Sequence, residues 1–163
     1  MNYIYSGQNS MSAYPLLQRV SLLSLVLLLA LSWSNLHATN YTVTDSGDSN
    51  TGSGTVGTLR YCINQANLSA GPHTITFAVA TVNLLNNLPA ITRQVDVNGG
   101  GTATVSVPAG DGGYIIFTIG AGGGGSTLRG MTIQNTGYIP IYLSAALSDI
   151  TLRDLVIKNN AAD

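Results

Sequence analysis

Arg129 and Arg153 stand 24 residues apart in matching surroundings: Leu128-Arg129-Gly130-Met131-Thr132-Ile133-Gln134-Asn135 matches Leu152-Arg153-Asp154-Leu155-Val156-Ile157-Lys158-Asn159 position for position, with no gap needed to align them. Guanidinium groups stacked in register are forks for carboxylate or sulfate oxygens. The pair is therefore the candidate ligand-binding site, with a polysaccharide or a host or cell-surface glycan as the partner. Arg93, 36 residues before Arg129, is a third candidate for the same column. The simpler alternative is that each arginine lies at a corner of the chain and pairs with a nearby aspartate or turn carbonyl, a contact of small energetic weight at a surface.

The remaining reactive residue types are isolated. His73 follows Pro72 with no cysteine, aspartate or second histidine at ligand spacing, so it reads as structural, and no metal or cofactor is expected. Cys62 is the only cysteine, which excludes an internal disulfide and leaves a buried or a free thiol. Tyr138, Ile139 and Tyr142 flank Pro140; they offer a surface for stacking on a sugar, or else pack over the chain. Gly122 to Gly125 has no lysine beside it and no helix after it, unlike a phosphate-cradling loop. The sequons Asn40-Tyr41-Thr42 and Asn67-Leu68-Ser69 matter only in a eukaryotic secretory pathway.

The elements that must hold these residues begin after a leader. Arg19 precedes the uncharged apolar run Val20 to Leu31, and Ser32 to Ala38 end in Leu36-His37-Ala38. A basic start, a short apolar stretch and a small-residue exit make a secretory signal over residues 1–38, with cleavage after Ala38 and Met11 as an alternative start. The apolar run is well short of the roughly 20 residues of a membrane-spanning helix, so no span is expected in the mature chain. From Thr39 onward five basic residues stand against seven aspartates, net −2, with no glutamate. Such a surface has no field to draw nucleic acid or an anionic membrane.

Downstream, Tyr41 to Thr44 alternates as a strand, and Asp45 to Gly54 has loop composition. Leu59, Cys62, Ile63 and Ala66 then fall at i, i+3, i+4 and i+7, which predicts a helix capped by Thr58 and ended near Ala70-Gly71-Pro72. About three turns long, it needs a partner surface for its stripe. Short strands follow: His73 to Val79 with Ile75, Phe77 and Val79 in phase, Val95 to Val97, Ala103 to Val107, and Tyr114 to Ile119 with Ile115, Phe117 and Ile119 in phase. No helix lies between them, which excludes βαβ units. The 24-residue repeat closes the series, with Met131 and Leu155, then Ile133 and Ile157, expected inward, and with Asn135 and Asn159 at equivalent turns. Repeats of this length with a strand in each unit indicate a solenoid. The fold expected is all-β, a right-handed parallel β-helix of two to three coils with a short amphipathic capping helix over residues 39–163. The offset of 36 leaves the phase of residues 91–99 open.

Thr42-Val43-Thr44, the Gly/Ser/Asp loop, Gly57-Thr58-Leu59-Arg60-Tyr61-Cys62-Ile63-Asn64-Gln65-Ala66-Asn67 and His73-Thr74-Ile75-Thr76-Phe77 together resemble the N-terminal region of pectin-lyase-like β-helix surface proteins, of the autotransporter and polymorphic outer-membrane adhesin type. Leu88-Pro89-Ala90-Ile91 with Val95-Asp96-Val97-Asn98-Gly99 is similar to their next element, and Leu128 to Asn135 to their first regular coil. The resemblance covers nearly all of the chain after the leader. It implies that the helix closes the open end of the solenoid, and that Cys62, where such proteins usually carry a small residue, is buried and inert.

Enzymes of that fold cleave acidic polysaccharides with clustered aspartates that hold calcium, or with paired carboxylates. At equivalent strand positions the outward column is expected to hold Asp96, Thr132 and Val156, and the turn before it Gln94, Gly130 and Asp154. Neither stacks two acids, and Asp149 and Asp154 have no acidic partner in another coil. No catalytic residue is expected. The function expected is a secreted or cell-surface adhesion-type scaffold, exported from a bacterium, with downstream coils of its own chain as a further partner. The alternatives are the N-terminal fragment of a carbohydrate-active β-helix enzyme lacking its catalytic coils, and a truncated gene product.

Overall fold

The computed structural model describes residues 38–108, 113–144 and 146–160. The leader read over residues 1–38, with Arg19, the apolar run and His37, lies outside the described residues except for Ala38. The described residues belong to the compact unit Leu36–Asp163.

Thr58 sets up the single helix found among the described residues. It ends β3 (Val56–Thr58) in extended backbone, and its hydroxyl accepts the Tyr61 N–H at 3.2 Å, so α1 (Leu59–Asn67) begins at once. The four residues of the apolar stripe, Leu59, Cys62, Ile63 and Ala66, are all buried. Each large one contributes about 1.5–3 kcal/mol of burial. The helix lies against β1 (Asn40–Asp45), β3 and β4 (His73–Phe77).

The rest is a mainly parallel β structure. The larger sheet runs β10-β8-β6-β4-β1-β3-β2, with β5 (Thr81–Asn83) beside β6. Here β6 is Val95–Ser106, β8 is Thr127–Gln134, β10 is Thr151–Lys158 and β2 is Gly52–Ser53. Among the described residues only β2, paired to β3, is antiparallel. A second sheet pairs β7 (Phe117–Ile119) with β9 (Ile141–Leu143), also parallel, and a bridge from Ile119 to Ile91 extends it backward. From β6 to β10 the chain visits the two sheets alternately. Parallel neighbours need a crossover of a dozen or more residues, and here each crossover is a strand of the other sheet.

The repeat read in the sequence is the pairing register. Leu128 stands opposite Leu152, Met131 opposite Leu155 and Ile133 opposite Ile157. Left-handed backbone recurs at the same interval: Gly125 and Asp149, Gly130 and Asp154, Asn135 and Asn159 all have φ between 54° and 75°. Glycine, asparagine and aspartate are the residues that adopt this geometry most readily. The core lies between the sheets, with Val43, Ile75, Val97, Val105, Leu128 and Ile133 on one side and Ile91, Phe117 and Ile119 on the other, none more than 1% exposed.

Several expectations need correction. Asp96 pairs with Thr127 and Val97 with Leu128, an offset of 31; after Gly99–Gly101 the offset falls to 28, with Ala103 opposite Met131. The extra residues form an irregularity in which Gly100 and Gly101 take φ of 64° and 82°. Arg93 is therefore not in the arginine column; Asn98 is, opposite Arg129. The outward column through Thr132 and Val156 includes Thr104, not Asp96. Gly130 and Asp154 are equivalent, but Gln94 is not their neighbour in register; its side chain donates to the Gly125 carbonyl at 3.2 Å. Residues 95–106 form one strand rather than two. In residues 114–119 only Phe117–Ile119 is strand, and Ile116, not Ile115, is fully buried; the Ile115 N–H is drawn outward to the Asn87 side chain at 2.9 Å. Phe77 and Val79 are only partly buried, and Ile157 is half exposed because β10 is the outermost strand.

Candidate functional site

Arg129 and Arg153 are brought side by side by the β8–β10 register. Their settings differ. Arg129 reaches back across the β6–β8 boundary and forks onto Asp96, with Nε at 2.9 Å and Nη2 at 2.8 Å from the two carboxylate oxygens. Hydrogen bonding to Asp96, opposed by desolvation and joined by the charges of Asp96 and Asp154, raises the guanidinium pKa above its ordinary value. Arg153 has a more open environment. Its side chain is 54% exposed and meets Asp154 at 3.7 Å, beyond hydrogen-bonding distance. The column is thus Asn98, Arg129 and Arg153, flanked by Asp96 and Asp154 in alternating charge. Arg153 has its fork available to an anionic oxygen; Arg129 would have to share the one it gives to Asp96. Arg93 contributes only a 3.4 Å contact to the Thr92 carbonyl.

The other candidates have structural partners. His73 is 1% exposed; Nε2 faces the Ser69 carbonyl at 3.1 Å, and Nδ1 accepts the Thr39 N–H at 3.3 Å. Its ring meets Tyr41 edge-on, centroids 5.9 Å apart. Cys62 is fully buried, its Sγ 3.7 Å from the Thr42 carbonyl, and burial pushes the thiol up to about 11. The Gly122–Gly125 run is a corner packed on the preceding turn: a Cβ on Gly123 would come within 2.6 Å of the Ile91 carbonyl. Tyr138 and Tyr142 are about half exposed, at 54% and 44%. The Asn67 side chain is fully used, donating to the Ala90 carbonyl and accepting the Thr92 N–H, both at 2.8 Å.

The most saturated polar group went unnoticed in the sequence. Asp48, with a side chain 2% exposed, takes the Arg60 fork at 2.8–3.0 Å and also the N–H groups of Leu85 and Asn86. Arg60 adds a bond to the Asn87 carbonyl at 2.8 Å. This network ties α1 to two loops and leaves Asp48 no valence for chemistry. The nearest sequence signal was an aspartate-bearing loop just before an arginine in the first helical turn. Among the described residues no three His, Cys, Asp or Glu side chains converge to hold a metal, and no helix is long and apolar enough to cross a membrane.

Comparison of the chain with protein-family models, with curated proteins and with solved structures found no match.

Proposed function

We propose that this chain is an exported surface or adhesion scaffold built as the first coils of a right-handed parallel β-helix of the pectin-lyase-like kind, and that it is not itself an enzyme. The observation that carries the reading is the 24-residue register of β10 on β8 together with left-handed backbone at the same three places in each unit. A chain that passes alternately through two sheets, parallel to itself each time, is coiling. Parallel crossovers are right-handed in about 98% of cases. The helix α1, with its stripe turned onto β1, β3 and β4, suits a lid over the first coil. Solenoids of this kind present long, stiff faces, which is what a scaffold needs.

On such a face Arg153 is the group best suited to hold a glycan carboxylate or sulfate. The aspartates support a scaffold better than a catalyst, because Asp48 and Asp96 are each committed to an arginine. Export is tested by N-terminal sequencing of the protein recovered outside the cytoplasm of a bacterial host: Thr39 should be first, and an uncleaved Leu22–Leu31 segment retained in the membrane would contradict it. The scaffold reading is tested with immobilised sulfated and uronic-acid polysaccharides. Retention that weakens in Arg153→Ala, with no unsaturated or reducing-end products formed, is the expected result. Calcium-dependent product release would overturn it.

A further inference from the structure

We propose that His73 is the docking site for the amino terminus created when the leader is removed, with the α-amino group of Thr39 held on its Nδ1; this rests on the export reading, which places cleavage after Ala38. His73 is buried, and its two ring nitrogens face partners of fixed sense. The Thr39 backbone N–H can only donate, and its nitrogen lies 3.3 Å from Nδ1. The Ser69 carbonyl can only accept, and it lies 3.1 Å from Nε2, with Ser69 Oγ at 3.3 Å. The ring proton therefore sits on Nε2, and Nδ1 keeps its lone pair for the Thr39 nitrogen. The Tyr41 ring, edge-on with centroids 5.9 Å apart, packs the imidazole in that orientation.

Thr39 is held from its other side as well. Its carbonyl accepts the Thr74 N–H at 3.0 Å, one residue along β4 from His73. From there β1 runs on with a parallel partner on each side. Ala38 is exposed, so hydrolysis of the Ala38–Thr39 bond opens toward solvent. Water adds across that bond: the Ala38 carbonyl carbon takes the oxygen and departs as a carboxylate with the leader, and the Thr39 nitrogen becomes an ammonium. A neutral amide donor is thereby exchanged for a charged one at the same place. A charge-assisted hydrogen bond is roughly twice as strong as a neutral one. The site also reads the position of the cut. A chain that starts at Asn40 lacks the Thr39 nitrogen altogether. A chain that starts one residue before Thr39 keeps an amide donor there, with its charge one residue away.

The test uses the full chain with the recognition sequence of a site-specific protease placed directly before Thr39, cut in urea and refolded. Thr39 then leads the chain whether or not a bacterial host cleaves there, so failure of docking and failure of export are read separately. Lys158 is the only lysine, so it is the internal reference for the Thr39 α-amine in brief acetylation at neutral pH, followed by mass spectrometry. Docking holds the α-amine as an unreactive ammonium. Relative to Lys158, it should react about tenfold more slowly than the α-amine of a chain with a second threonine inserted ahead of Thr39. His73→Phe keeps a buried ring and removes the acceptor, and it should bring the Thr39 amine up to the faster rate. Circular dichroism confirms that each chain is folded; if His73→Phe does not fold, the inserted threonine decides alone. Equal rates for the two starts would overturn the proposal, and so would a slow rate that His73→Phe leaves unchanged.

Discussion

Asn135 and Asn159 hold the same left-handed corner in consecutive units, with φ of 64° and 54°. Asn135 also donates from its side-chain amide to Ser106 Oγ at 3.0 Å, binding its corner to the strand of the unit before. Asparagine serves both needs: its short polar side chain tolerates φ above zero and still reaches a neighbour.

Replacing Asn135 separates these roles. Asn135→Gly keeps the corner and loses the side-chain bond, so it should cost no more than about 1 kcal/mol. Asn135→Val forces a β-branched residue into left-handed backbone and should cost roughly 1–3 kcal/mol more. Urea denaturation of the two variants beside the wild type measures the difference; equal midpoints would show that the corner is not strained.

The capping helix makes a second prediction. Leu59 is fully buried, so Leu59→Ala should cost about 2–5 kcal/mol. A change within about 0.5 kcal/mol, as at an open surface position, would mean that the helix does not cover the core. Thermal melts followed by circular dichroism suffice.

Asp48→Ala should be comparably damaging, about 3–5 kcal/mol, because it strands the Arg60 guanidinium in a setting only 17% exposed and leaves the Leu85 and Asn86 N–H groups without their acceptor. Asp48→Ala combined with Arg60→Met should recover part of that loss. A double mutant cycle showing strict additivity would contradict the coupling.

The buried thiol carries a pH signature. Burial keeps Cys62 protonated in the fold up to about 11, against an ordinary thiol value of 9.0. Its contribution to stability is therefore complete below about pH 9 and is lost as pH rises through about 11, a change of roughly 2–3 kcal/mol. Subtracting the profile of Cys62→Ala isolates it from the tyrosines and Lys158. In the native chain Cys62 should also resist a thiol reagent at pH 8 and react once the protein is unfolded; rapid reaction of the folded chain would contradict its burial.

Much of this fold was legible because its signals are local or repeated. Leu59, Cys62, Ile63 and Ala66 mark a helix face within a few residues of one another, and the Leu128 and Leu152 segments mark a register by matching position for position. The phase of residues 93–98 was hidden by Gly99–Gly101: three residues without side chains change the offset from 31 to 28 and give no inward or outward pattern to count. The partner of Arg129 was hidden for the same reason, since Asp96 becomes its neighbour only once that register is known. Asp48 read as an ordinary loop acid because its partners, Arg60, Leu85 and Asn86, lie 12 to 38 residues away. Arg129 and Arg153 were correctly aligned from the repeat alone, whereas their unequal ion pairing depended on flanking acids outside the repeat's matching residues.

The central claim is that the chain stacks on itself in parallel at a 24-residue interval, and engineered disulfides test it most directly. In a Cys62→Ala background, Thr132→Cys with Val156→Cys, and separately Gln134→Cys with Lys158→Cys, join residues paired in register on the outward face of β8 and β10. Their spacing suits a disulfide, whereas Thr132→Cys with Lys158→Cys, two residues out of register, places Cα atoms about 8 Å apart, beyond the usual span. Under mild oxidation the two in-register pairs should form intramolecular disulfides readily and raise the melting temperature, while the offset pair stays reduced. Equal cross-linking of all three, or preference for the offset pair, would contradict the stacking on which the account rests.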